Sequence, residues 1–204
     1  LKAAGVDPIT VVVGYKGDVL RRHLANAGVR FAENSRYAQT QMFDSVLIGL
    51  MDIRQHCDRV FLMPADVPLV EDSTFRKLME QEGPIVRPIY EGKGGHPLLL
   101  NVNLLRDLQR HNGEQGLKGA MESLGLPVTD VAVSDEGILL DADTPEDYKK
   151  LIHLENRRRG HGSLRMELHL QLAVEEVFLT PETAQLLEMI ENTGSIQNAC
   201  GCMH

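Results

Sequence analysis

Apolar and polar positions along the chain fall into two kinds of run that take turns. Ile9-Thr10-Val11-Val12-Val13 and Val60-Phe61-Leu62-Met63 are short, continuous and rich in β-branched or aromatic residues. Runs of that length predict strands buried on both faces, as inside parallel sheets. Between them the spacing changes to helical: Val19, Leu20, Leu24 and Ala27 share one face, and Val46, Leu47, Leu50 and Ile53 share another. Asp18 is the expected cap of the first helix, and Asp44 or a near neighbour that of the second. Gly28 ends the first, and Val29 to Ala32 predict a short second strand.

Downstream the alternation continues. Asp72-Ser73 opens a helix carrying Phe75, Leu78 and Met79, and Gly83-Pro84 breaks it. Ile85 to Tyr90 predict a strand, Glu91 to Gly95 a flexible turn, and Pro97 to Leu100 a returning strand. Short helices follow over Leu104 to Leu108 and Gly116 to Leu124, and late strands over Val128 to Val133 and Ile138 to Leu140. Thr144-Pro145-Glu146-Asp147 is a helix start, with Thr as N-cap, Pro at the first helical position and acids at the positive helix end. Strands alternating with helices predict an α/β domain with a largely parallel sheet over residues 1–154.

After His153 the pattern changes. Residues 155–163, with Arg157-Arg158-Arg159 and two glycines, read as a charged linker. Leu164, Met166, Leu168, Leu170 and Leu172 then alternate with polar residues, the signature of a half-buried strand. A helix from Thr180, a turn at Thr193-Gly194-Ser195 and a second helix start give a helix-turn-helix pattern over 164–204.

Composition narrows the classes. The 204 residues leave room for one α/β domain with a smaller attachment, and 43% hydrophobic with 25% charged residues is ordinary for a globular protein. A net charge of −8 argues against general affinity for nucleic acid, though not against a small DNA-reading element. The odd count of three cysteines fits a reduced, cytoplasmic protein, and no apolar run reaches membrane-spanning length. Leu1 to Gly5 read as the end of a helix with a glycine cap, so the chain is expected to begin inside a domain.

Four places carry candidate chemistry. Asp66, between Pro64 and Pro68, follows the second apolar run; ligands of open α/β sheets bind beyond such strand ends. A lone carboxylate there suits Mg²⁺, held by one or two carboxylates plus substrate phosphates; a loop aspartate that only caps the next turn is the alternative. Gly94-Gly95-His96-Pro97 is a turn where the backbone could approach a ligand, or one that merely exposes a histidine. Asp141-Ala142-Asp143 places two acids after a strand, and on an extended segment only one of the two faces a shared site. Asp44-Ser45 begins a helix whose free N–H groups suit a nucleotide, or is a cap alone. Cys200, Cys202 and His204 make no complete metal site, and neither a nucleophile elbow nor a phosphate-cradling glycine loop is present.

Taken in order, Val11-Val12-Val13-Gly14-Tyr15, Asn34, Met42-Phe43-Asp44-Ser45-Val46, Leu62-Met63-Pro64-Ala65-Asp66-Val67-Pro68-Leu69, Gly95-His96-Pro97 and Asp141-Ala142-Asp143-Thr144-Pro145-Glu146-Asp147-Tyr148 resemble the MobA-like NTP transferases, in particular the molybdenum-cofactor cytidylyltransferase branch. The resemblance implies a Rossmann-like three-layer nucleotidyltransferase fold. It also implies Mg²⁺-dependent transfer of CMP or GMP from CTP or GTP to a molybdopterin-type acceptor, with release of pyrophosphate. By it, Asp66 is the catalytic metal ligand with Asp143 or Asp141 as second carboxylate. Met42, Asp44 and Ser45 lie against the nucleotide, and Gly95, His96 and Pro97 border the acceptor. A molybdoenzyme or its chaperone is the implied protein partner. Family members open with a strand and a glycine-rich loop carrying Arg and Lys, which this chain starts after, so weak or no turnover is expected of it. Leu164 to Leu172 and Leu186-Leu187-Glu188-Met189-Ile190-Glu191-Asn192-Thr193-Gly194-Ser195-Ile196 resemble the start of the ModE-type winged helix-turn-helix, which stops before its groove-entering helix. DNA is therefore an expected partner only of a complete tail. A molybdenum-linked regulator with a nucleotide-sensing domain and a sugar-phosphate nucleotidyltransferase are the alternative functions.

Overall fold

A computed structural model describes residues 1–159. The chain opens with a 3₁₀ turn at Lys2–Ala4 that ends at Gly5, whose φ of 84° is the left-handed cap expected there. Strands and helices then follow in the order β1 (Thr10–Val13), α1 (Gly17–His23), β2 (Arg30–Glu33), α2 (Met42–Ile53), β3 (Arg59–Leu62), α3 (Asp72–Met79), β4 (Ile85–Tyr90), β5 (Lys93–Gly94), β6 (Leu98–Asn101), α4 (Leu105–Leu108), α5 (Gly116–Ser123), β7 (Val128–Ala132) and α6 (Pro145–Arg159). The expected linker and helix-turn-helix from residue 160 onward, with Cys200, Cys202 and His204, lie outside the described residues.

Strands β1 and β2 pair in parallel as a two-stranded sheet. In the five-stranded sheet the order is β3-β6-β4-β5, and β7 pairs with β4. Because β6 runs antiparallel to both β3 and β4, those two are parallel to each other, and β7 is parallel to β4. Three strands, β3, β4 and β7, thus run in one direction, with β4 and β7 paired in parallel, and β6 and the short β5 are reversed by the Glu91–Gly92 turn.

Period-two alternation splits this sheet's apolar residues between two layers. Val60, Ile85, Leu98 and Leu100 point to one face and pack with Phe43, Leu50 and Ile53 of α2, Leu105 and Leu108 of α4 and Ala120 of α5. Phe61, Val86, Leu99 and Val131 point to the other face and pack with Leu78 of α3. Phe75 of α3 meets Phe61 edge to face at 5.2 Å between ring centroids. Full burial of side chains such as Phe75, Leu78, Ile85 and Leu100 stabilises the fold by about 1.5–3 kcal/mol each.

Several expectations need correcting. The second apolar run is covered on both faces but is not a central strand: β3 pairs only with β6 among the described residues, and Phe61 and Leu62 are half-buried. Asp18 does not cap α1; Lys16 occupies the cap position, and Asp18 favours the helix through its charge in the first turn. Ile138 to Leu140 is not a strand, because Asp135 turns the chain into a 3₁₀ segment (Glu136–Leu139) by accepting the Gly137 N–H. Finally, α6 runs through Arg159, so the first residues of the expected linker are helical.

Candidate active site

The site forms where three loops converge after β3, before β6 and before α6. The ladder stops after Leu62, and a turn follows in which the Val67 N–H reaches the Pro64 carbonyl at 3.4 Å, so Asp66 stands just beyond the strand end. Its Oδ1 is buried without a hydrogen-bond partner. Burial raises the Asp66 pKa above the ordinary carboxylate value, its own backbone N–H partly offsets this, and the charges of Asp143 and then Asp141 raise it further. Both acids of the Asp-Ala-Asp segment therefore reach Asp66 electrostatically, with Asp143 the stronger.

His96 joins from the opposite loop. Its backbone N–H donates to the Ile138 carbonyl at 3.0 Å, and the Gly95 N–H donates to the Pro88 carbonyl at 2.9 Å. Gly95 is needed for this crossing, since a Cβ there would sit 2.4 Å from the Ile138 carbonyl oxygen. The glycine thus admits another loop of the same chain, where the sequence pattern suggested backbone approach to a ligand. His96 Nδ1 is buried without a partner. Burial holds the imidazole below its ordinary pKa, against the upward pull of Asp66. It is accordingly neutral at pH 7, able both to donate and to accept a hydrogen bond.

That depression has a stability consequence. The unfolded chain protonates His96 near 6.5, whereas the folded chain resists until lower pH. Between the two values the unfolded state binds more protons, so stability is lost as pH falls below 6.5. Urea midpoints measured from pH 7 to 5 are expected to fall less steeply in His96→Gln than in the wild type; parallel slopes would remove the assignment.

The segment before α2 is built by Asn34, which the sequence did not single out as a builder of structure. Asn34 is 4% exposed; its N–H donates to the Val13 carbonyl at 2.8 Å, joining the carboxyl ends of β1 and β2. Its amide donates to Thr40 Oγ1 at 2.9 Å and Ser45 Oγ at 3.0 Å, and its Oδ1 accepts the Arg36 N–H at 3.1 Å. Asp44 closes a capping box with Gln41, accepting the Gln41 N–H at 2.8 Å. The side chains of Asp44 and Ser45 are therefore committed to local bonds, and Met42, 65% exposed, is left to face outward. A polar residue flanked by a strand and a capped helix is the signal that could have marked Asn34.

Arg158 was missed more completely. It donates to the Leu69 carbonyl and to Asp135, 2.5 Å each, just beyond the Asp66 turn. Leu151, Leu154 and Arg158 recur at helical spacing, so extending the α6 pattern would have placed Arg158 on its inner face.

Residues 1–128 match the family described as the MobA-like NTP transferase domain. The chain belongs to the MobA-like NTP transferase family. Among solved structures it resembles Rv0371c of Mycobacterium tuberculosis, at 26% identity and a TM-score of 0.62 over 74% of this chain and 79% of that one. A manganese complex of Rv0371c matches at 26% identity and a TM-score of 0.61, over 74% of this chain and 81% of that one. A nucleotidyl transferase of Methanothermobacter thermautotroptrophicus shares the fold at 23% identity and a TM-score of 0.65, over 77% of each chain. Among curated proteins none matches.

For a MobA-like NTP transferase, the donor set can be tested against a divalent cation. Asp66 offers a carboxylate oxygen with no protein donor, and two further acids lie within electrostatic reach. No three His, Cys, Asp or Glu side chains among the described residues form a closed cage. An open set of one or two carboxylates fits Mg²⁺, which keeps waters and takes substrate phosphates as ligands. No helix among the described residues is long and apolar enough to cross a membrane.

Proposed function

We propose that this MobA-like NTP transferase serves molybdenum-cofactor maturation, with Mg²⁺-dependent transfer of CMP or GMP from the NTP to a molybdopterin-type phosphate. The observation that carries the reading is the partnerless, buried Oδ1 of Asp66 at the end of β3, with Asp143 and Asp141 close enough to raise its pKa. Manganese bound to a relative of 26% identity supports it. In the reaction an oxygen of the acceptor phosphate attacks the α-phosphorus, the bond from that phosphorus to the β-phosphate oxygen breaks, and pyrophosphate leaves. Such transfer is governed by positioning and by neutralising phosphate charge.

Asp66 would hold the cation, with Asp143 ahead of Asp141 as the second carboxylate. Bound there, the cation supplies positive charge that offsets the phosphate oxygens. The Met42 to Ser45 turn lies against the nucleotide, with Met42 as the exposed apolar surface. Gly95, His96 and Pro97 border the acceptor, and the neutral His96 ring hydrogen-bonds to it without adding charge.

Titration calorimetry with CTP and with GTP, each with and without Mg²⁺, tests this reading against an Asp66→Ala control. Binding of one nucleotide is expected to strengthen with Mg²⁺, by about tenfold or more, and that gain is expected to vanish in Asp66→Ala. Nucleotide binding indifferent to both the cation and Asp66 would sink the proposal.

A further inference from the structure

Asp135 is 2% exposed, yet it is a carboxylate with every acceptor position in use. Its Oδ2 accepts the Glu71 N–H at 2.8 Å and the Thr74 hydroxyl at 2.7 Å. Its Oδ1 accepts the Gly137 N–H at 3.0 Å and an Arg158 guanidinium N–H at 2.5 Å. Four donors match the roughly four lone-pair sites of an ionised carboxylate. They come from both sides of the candidate site. Glu71 and Thr74 belong to the stretch that leaves the Asp66 turn and starts α3, and Gly137 begins the segment that runs on to Asp141 and Asp143. Arg158 spans the two, because its other guanidinium N–H donates to the Leu69 carbonyl.

The same crossing is closed by backbone contact. A Cβ on Gly137 would lie 2.1 Å from the Leu69 carbonyl oxygen, so the two loops touch there without side chains between them. One residue on, Ile138 accepts the His96 N–H. The loops bearing Asp66, His96 and the Asp141–Asp143 pair are thereby tied within a few residues of Asp135. Stability alone gives little reason for a buried charge pair here, since well-packed apolar residues often do as well. What a saturated carboxylate adds is a fixed distance between the groups it bonds.

We propose that Asp135, oriented by Arg158, is a positioning residue that sets the separation between Asp66 and the Asp141–Asp143 pair, and through it the affinity for a divalent cation. The cation part rests on the reading of Asp66 as a metal ligand. The positioning part stands on the hydrogen bonds alone.

The test measures Mn²⁺ dissociation constants by electron paramagnetic resonance, and the His96 ring resonances by NMR, on the full chain. Asp135→Asn keeps the shape but replaces one acceptor with a donor, and Arg158→Lys keeps the charge but loses the rigid fork that reaches Asp135 and Leu69 from two separate nitrogens. Leu108→Ala, in the core on the opposite side of the sheet, controls for lost stability. Asp135→Asn is expected to weaken Mn²⁺ binding about 10–100-fold and to displace the His96 signals, as removing a partner behind a metal ligand does. Arg158→Lys is expected to lie between that variant and the wild type, and Leu108→Ala to match the wild type within about twofold. If Asp66→Ala abolishes Mn²⁺ binding while Asp135→Asn matches Leu108→Ala, the positioning role is overturned and the metal reading stands. If Asp66→Ala leaves Mn²⁺ binding intact, the metal reading fails, and the His96 signals decide: displacement in Asp135→Asn but not Leu108→Ala supports positioning, and no displacement overturns it.

Discussion

Asp66→Asn is expected to reverse its ranking against the wild type when a divalent cation is added. Without metal, Asp66 binds its proton more tightly in the folded than in the unfolded chain, because burial and the charges of Asp143 and Asp141 oppose its ionisation. As pH rises from the ordinary value of 3.8 through the raised one, the folded state therefore loses stability, and the deficit is complete above the raised value. Asparagine carries no charge, so the metal-free variant should melt higher than the wild type at pH 7, with the advantage fading towards pH 3.8. Saturating Mn²⁺ should invert the order: at 100 times the dissociation constant, bound ligand stabilises by about 2.7 kcal/mol, and only the wild type gains it. The variant's Mn²⁺ affinity is expected to fall by about 100-fold or more, beyond what losing an outer-shell partner costs. Thermal melts at pH 7, with and without Mn²⁺, show both effects; equal Mn²⁺ shifts in the two proteins would contradict the assignment.

The second large effect is steric. In Gly137→Ala the new Cβ would meet the Leu69 carbonyl oxygen at 2.1 Å and its carbon at 2.8 Å, backbone atoms that cannot rotate away. Overpacking costs about 1–3 kcal/mol, occasionally more; a contact this close, beside the Asp135 hydrogen bonds, should fall at the upper end. Gly95→Ala, 2.4 Å from the Ile138 carbonyl, should follow closely behind. Gly125→Ala is the comparison: its φ of 61° is strained for alanine but no atom lies within 4 Å, so it should lose only about 1–2 kcal/mol. Urea midpoints give the order, and Gly137→Ala no worse than Gly125→Ala would refute it. The two crowded variants should also bind Mn²⁺ less well, since each pushes apart loops that carry candidate ligands.

Much of this molecule is visible in its residue pattern because local signals there agree with the fold. Val60-Phe61-Leu62 gives alternate side chains to two layers, and Thr144 with Pro145 begins α6, the Asp147 N–H donating to Thr144 Oγ1 at 3.2 Å. Asp66 and His96 stand out as polar residues beside strands, and Asp141 and Asp143 as acids before the start of α6, and the fold draws them within electrostatic or hydrogen-bond reach of one another or of a shared loop. What stays hidden depends on contacts distant in sequence. Nothing near Asp135 says that Arg158 will meet it, and a run of three arginines looks like a solvated stretch until its helix is laid against Leu69. Gly137 gives no turn signal either, because its role is to be small opposite one particular carbonyl. The reversal of β6 against β4 is legible by contrast, because the Glu91 to Gly95 turn between two short apolar runs sends the second back along the first.

The unladdered sides of β1 and β3 bear on how the protein behaves in bulk. Each strand leaves one row of backbone N–H and C=O groups outside any ladder among the described residues, flanked by the half-buried Val11, Val12, Phe61 and Leu62. Such rows template the addition of another extended chain. The opposing influence is the net charge of −8, which makes copies repel one another across solvent. At about 0.15 M salt that repulsion reaches only about 8 Å, while the hydrogen bonding of an open strand is short-ranged and unscreened. Ionic strength and concentration together therefore set how strongly copies of the chain repel one another: dilute, low-salt solutions keep them furthest apart.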